Sequence, residues 1–190
     1  MDTRVLIPII ILVVAVIVIA AVVISRKRKT EHLRQHYGTE YDRTVQQSGN
    51  PQRAEAELLQ REKRVHEFPI HSLSAGAREK YAEEWTGVQR RFVDEPAAAV
   101  NDADNLVNRV MVSRGYPMAD FEQRAADLSV THPKVVENYR AARSIVSRHG
   151  RGESSTEDLR QAMVHYRALF EDLLETPKTP HTEVPYERAS

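Results

Sequence analysis

The chain has 190 residues, 27 basic and 27 acidic side chains that cancel, and no cysteine. The missing cysteines exclude disulfide scaffolds, thiol catalysis and thiolate metal sites, and leave the compartment open. A mildly acidic chain after Tyr37, under a basic segment, argues against general nucleic-acid binding, and the polar chain beyond the first 25 residues is long enough for one modest core.

The apolar run 5–24, bounded by Val5 and Ile24, contains no charge, and sixteen of its twenty residues are Val, Ile or Leu. At about 1.5 Å per residue it matches a hydrocarbon core of about 30 Å, so a transmembrane helix is expected. Each Val, Ile or Leu favours insertion by roughly 0.3–0.6 kcal/mol at the bilayer centre. Pro8 falls in the first turn, where it breaks little. A cleaved signal peptide needs a basic leader, a shorter apolar stretch and a small-residue cleavage site. Here Arg4 is balanced by Asp2, and Arg26, Lys27, Arg28 and Lys29 follow the run. That collar outweighs Arg4, which predicts the N-terminus outside the cell membrane and the C-terminal part in the cytoplasm. It also predicts contact with anionic lipid headgroups at about 1 kcal/mol per basic residue. Residues 25–37 carry a net charge of +4, so the chain after Tyr37 sums to −4.

Beyond the collar helical periodicity dominates and no stretch alternates as a strand. Tyr41 and Val45 fit a short turn or helix before Ser48-Gly49, and Asn50-Pro51 is a good helix opening, with Asn as cap and Pro at the first helical position. The helix it starts carries Ala54, Leu58 and Val65 and ends near Phe68-Pro69. Ser74 caps a helix with an inner stripe of Ala77, Tyr81, Trp85, Val88 and Phe92, and Asp94-Glu95-Pro96 opens the next. That helix turns Val100, Ala103, Val107, Val110 and Met111 inward and stops at Gly115-Tyr116-Pro117. Phe121, Ala125 and Leu128 mark a shorter helix. His132-Pro133 begins one with Val135, Tyr139, Ala142 and Val146 inward. Ser154 with Glu157, or Ser155 with Asp158, reads as a capping box before a last helix whose seam is Leu159, Met163, Tyr166, Phe170 and Leu173. The seam suits packing in a bundle core against near-antiparallel neighbours. From Thr176 onward, Pro177, Pro180 and Pro185 among polar residues predict a disordered tail, with Pro177-Lys178-Thr179-Pro180 as a loose proline-rich ligand pattern.

Patterns that carry chemistry are sparse. His32 and His36 lie one helical turn apart, as metal ligands do, but Leu33 stands where a zinc protease needs glutamate and no third ligand is near. The Gly150-Arg151-Gly152 turn before a helix lacks the phosphate-loop lysine, and Glu153 repels an anion. There is no G-x-S-x-G elbow, and the acid pairs Glu83-Glu84 and Asp94-Glu95 fall on charged helix surface. No catalytic, cofactor or metal site is assigned. At 100° per residue, Arg140, Arg143, Arg148 and Arg151 share one sector opposite the apolar stripe of their helix. They form a candidate basic interaction face for lipid or an acidic partner, or a solvated face paired with neighbouring carboxylates. Tyr81, Trp85, Tyr139, His165 and Tyr166 either line an interhelical ligand pocket or fill the core.

Segments 33–43 (LRQHYGTEYDR), 89–100 (QRRFVDEPAAAV), 120–128 (DFEQRAADL) and 159–170 (LRQAMVHYRALF) together resemble an uncharacterised, mainly actinobacterial family of small membrane-anchored or secreted-annotated proteins. The resemblance implies a bacterial protein with one compact domain and brings no activity, cofactor or catalytic residue.

The expected architecture is all-α. It comprises an N-terminal transmembrane helix (1–25), a basic juxtamembrane segment and linker (26–50), a cytoplasmic bundle of about five or six short helices (51–175) and the tail (176–190). The expected role is a non-catalytic protein-interaction or scaffold module at the membrane. Its partners are the lipid bilayer and another protein, with no nucleic acid and no metal. The alternatives are a small-ligand sensor or enzyme with an aromatic pocket, or an anionic-lipid-binding module.

Overall fold

The structure, a computed structural model, describes residues 3–175, with side chains described at 12 and from 14 onward. The described residues form eight α-helices and no strand: α1 (Thr3–Tyr37), α2 (Thr39–Ser48), α3 (Pro51–His66), α4 (Ala75–Arg91), α5 (Pro96–Ser113), α6 (Phe121–Thr131), α7 (Val136–His149) and α8 (Thr156–Leu174). The expected all-α class is therefore observed, with six helices inside 51–175. The tail expectation, from 176, lies outside the described residues.

Among the described residues no helix is long and apolar enough to cross a membrane, so the expected transmembrane helix is not supported by that measure. Part of the run, Val5 included, has side chains outside the described set. Its described large apolar side chains, from Leu12 to Ile24, are all exposed. The apolar surface therefore extends around the helix rather than along one stripe, unlike a helix that buries one face in a core.

Contacts gather into two units, Met1–Glu67 with Asp120–Glu137, and Phe68–Ala119 with Asn138–Ser190. This division runs differently from a linker over 26–50 and a single bundle over 51–175. In the first unit α2 packs on α3, α3 on α6, and α1 on both α2 and α3. Leu33, Tyr37 and Tyr41 are buried in one cluster with Leu58, and Val45, Leu59 and Val130 pack against it. Part of the segment expected to be a linker thus belongs to the core, because Leu33, Tyr37 and Tyr41 recur every four residues across the α1–α2 junction. Gly38 makes that junction at φ 52°, a left-handed conformation that favours glycine. Asn50 caps α3 as expected, its Oδ1 accepting from the Gln52 and Arg53 amides at 2.8 and 3.3 Å.

In the second unit α5 packs on α8 and α4. The expected inward residues of α5 are all buried, joined by Ala99 and Leu106, and the whole expected seam of α8 is buried, joined by Ala162 and Leu169. Of the two capping-box alternatives, the structure forms Ser155 with Asp158. Two stripes differ. In α4 only Trp85 is buried, stacked on Phe170 at 4.8 Å, while Ala77, Tyr81, Val88 and Phe92 stay half-exposed. In α7 the buried residues are Val136, Tyr139, Ala142 and Ile145. The helix begins at Val136, and its buried face is rotated away from Val135 and Val146, which are half-buried.

Candidate functional site

Three helices of the first unit, α1, α2 and α3, enclose an open cleft of about 1110 Å³. Arg26, Lys29 and Arg34 line it from α1 and Lys63 from α3, while Val45, Ala56 and Leu59 give it apolar surface. Two carboxylates share the lining, Asp42 and Glu55. Glu55 is engaged from two sides, accepting from Thr30 Oγ1 at 2.7 Å and from the Tyr41 hydroxyl at 3.2 Å. Burial raises the Tyr41 pKa, and the Glu55 carboxylate raises it further, so the phenol stays a donor. The Arg34 guanidinium lies over the Tyr41 ring, 5.3 Å from its centroid. Arg26, Lys29 and Lys63 form no ion pair among the described residues. Of the collar, Lys27 and Arg28 do not line the cleft.

A smaller cavity of about 290 Å³ in the same unit is lined by Glu57, Gln60, Arg61, Arg64, Gln123 and Ala126. Its charges are compensated internally. Arg61 reaches Glu40 at 3.0 Å and Glu57 at 2.6 Å, and the Glu40 side chain is only 3% exposed. Asp127 Oδ1 accepts from Arg64 Nε at 3.1 Å and from Gln123 Nε2 at 2.7 Å, whereas the buried Oδ2 has no hydrogen-bond partner.

Comparison with protein-family models, with curated proteins and with solved structures finds no match.

The residues singled out by sequence sit as follows. Ile24 is exposed on α1, whereas the side chain of Val5 lies outside the described residues. Two members of the collar, Arg26 and Lys29, enter the cleft. The four arginines of the candidate face are not on one helix, because α7 ends at His149 and Arg151 lies beyond it in the turn. Arg151 folds back on the Ser147 carbonyl at 3.3 Å and on Glu153 at 2.8 Å. Arg143 approaches Asp104 at 3.9 Å, and Arg148 approaches Asp158 at 3.7 Å. Arg140 is half-buried. Arg143 and Arg148 thus approach carboxylates of α5 and α8.

His32 and His36 stack with ring centroids 6.3 Å apart. His36 Nε2 lies 2.9 Å from the Val130 carbonyl, so that nitrogen carries the proton and donates. Among the described residues no group of three or more His, Cys, Asp or Glu is arranged to hold a metal. The residues of the aromatic-pocket alternative are engaged with neighbours in the second unit. Tyr139 and Tyr166 meet edge to face at 6.5 Å, their hydroxyls donating to Asn108 at 3.2 Å and Asp104 at 3.0 Å. Burial, then the Asp104 charge, pushes the Tyr166 phenol well up. Tyr81 shares a 2.5 Å hydrogen bond with Ser113, and His165 Nδ1 one of 2.9 Å with Asn138. Of the acid pairs, Glu84 bridges Arg109 at 2.5 Å and Glu95 bridges Arg91 at 2.8 Å.

Sequence reading missed Arg114, which is 1% exposed at the end of α5. Its Nη1 donates to the Leu173 carbonyl in the last turn of α8 at 2.9 Å, and its Nε to the His71 carbonyl at 3.4 Å. It thereby satisfies an end carbonyl of α8 and ties the 67–74 connection to α5. Burial lowers its pKa, but a guanidinium keeps its charge across the ordinary pH range. No sequence signal marks it, since nothing about an arginine before a glycine distinguishes burial from exposure.

Proposed function

We propose that the chain is a single-pass membrane protein, N-terminus outside, whose helical units work at the cytoplasmic face as a non-catalytic protein-interaction or scaffold module. The observation that supports it most is the continuity of α1. One helix carries the exposed apolar side chains up to Ile24, then the basic collar, then Leu33 and Tyr37 in the core of the first unit. From Ile24 to Leu33 is about 14 Å of helix at 1.5 Å per residue. A folded unit joined in this way is held against the bilayer surface, a geometry suited to presenting a binding surface there. The apolar run satisfies the length and charge asymmetry of an anchor, and the resemblance is to a mainly actinobacterial family of small membrane-anchored or secreted-annotated proteins.

Because the chain has no cysteine, Ser190→Cys gives a unique label site. An impermeant maleimide should leave this variant unlabelled in intact cells and label it after permeabilisation; labelling in intact cells contradicts the orientation. Proximity labelling from the full-length protein should yield a protein partner absent from an anchor-only control. An identical set from both contradicts the scaffold role.

A further inference from the structure

We infer that the cleft between α1, α2 and α3 holds the headgroup of an anionic phospholipid, with its phosphate among Arg26, Lys29, Arg34 and Lys63. The inference rests on the membrane-anchored reading and goes beyond a collar that attracts lipid by charge alone. Arg26 and Lys29 follow Ile24 by about 3 and 7.5 Å of helix, within the roughly 5–8 Å of polar headgroup region on each side of a bilayer. In that reading the end of the cleft lined by Arg26 and Lys29 lies at the depth of the lipid phosphates. Its four cations outnumber its two carboxylates, and Glu55 already accepts from Thr30 and Tyr41. Arg26, Lys29 and Lys63 have no carboxylate partner among the described residues, so an incoming phosphate displaces no ion pair of theirs. The apolar side chains of Val45, Ala56 and Leu59 offer contact to the glycerol and upper acyl carbons, which a free phosphate does not have.

Lys63 separates this site from a general electrostatic collar, since it reaches the same cleft from α3, 37 positions after Arg26 in sequence. Lys27 and Arg28 are the complementary control, belonging to the collar but lying off the cleft.

The test uses the full chain in neutral detergent micelles, titrated with phosphatidylglycerol or phosphatidylcholine and read by native mass spectrometry, with inorganic phosphate as competitor. Circular dichroism confirms that each variant retains its helix content. The expected result is one phosphatidylglycerol held per chain in preference to phosphatidylcholine and resistant to phosphate. Lys63→Gln should weaken it about fivefold, the equivalent of about 1 kcal/mol for one basic residue near a lipid surface. The pair Arg26→Gln with Lys29→Gln should weaken it further, and Lys27→Gln with Arg28→Gln should leave it unchanged. Equal retention by Lys63→Gln and the parent chain overturns the site, as does an equal fall in the Lys27/Arg28 variant or displacement of the lipid by inorganic phosphate. Failure of the anchor would show separately, as release of the full-length chain from membranes by alkaline carbonate.

Discussion

Glu40 and Arg61 form a pair whose side chains are 3% and 9% exposed, so neither charge is compensated by water if the other is removed. Arg61→Ala should destabilise the first unit by about 3 kcal/mol, because the buried Glu40 carboxylate loses its 3.0 Å ion pair with Arg61. Glu40→Gln should cost less, since Arg61 keeps Glu57 at 2.6 Å. Hydrogen exchange in α2 and α3 checks the order; equal protection in both variants would contradict it. Gly115 and Gly87 make a second contrast. Gly115 sits at φ 93°, and an added Cβ would strike the Pro69 carbonyl, whereas a Cβ at Gly87, inside α4, meets nothing within 4 Å. Gly115→Ala should therefore lower the melting temperature, while Gly87→Ala should raise stability by up to about 1 kcal/mol through helix propensity. Charged residues of this kind are where the sequence is silent. Glu40, Arg61, Arg114 and Asp127 look like any surface charge, because their burial is made possible by partners distant in the chain.

At the scale of elements, α8 owes its defined start to Ser155 and Asp158, each accepting from the other's backbone amide, at 3.1 and 2.8 Å. Ser155→Ala should cost about 1 kcal/mol and fray the first turn of α8, visible as faster amide exchange there. The same turn predicts an acid response. Hydrogen bonds from Ser155 depress the Asp158 pKa, and the Arg160 guanidinium, then Gln161, hold Glu157 down at about 2. A depressed folded pKa stabilises above the unfolded value, about pH 4, and that contribution disappears as pH falls toward 2. Fraying at the α8 start should thus grow on acidification from pH 5 to about 2. An unchanged exchange pattern would contradict the pairing.

The starts of α3, α4, α5 and α8 and the α5 and α8 seams were legible because capping residues and long aliphatic stripes are local signals, whereas α7 starts at Val136 rather than at Pro133. The α7 stripe was not. With Val135, Val136, Ile145 and Val146 adjacent in pairs, periodicity allows either rotation, and packing against the other helices selects one. The cleft was half legible. Its collar residues stand out, whereas Lys63 enters it only through the packing of α3 on α1 and α2.

For the whole molecule, the chain crosses between its two units at 67–68, 119–120 and 137–138, so neither unit is one continuous stretch of sequence. A domain boundary of that kind leaves no composition shift to read, and a single bundle over 51–175 was the natural expectation. The first unit also contains the continuation of the apolar helix, so α1 carries both exposed apolar side chains up to Ile24 and the core residues Leu33 and Tyr37. The most direct test of this account is the mass of the chain that remains in bacterial membranes after an alkaline carbonate wash. The account predicts the intact 21.7 kDa chain in the pellet. Full-length chain released to the supernatant, or a mature chain beginning after Ile24, would contradict it.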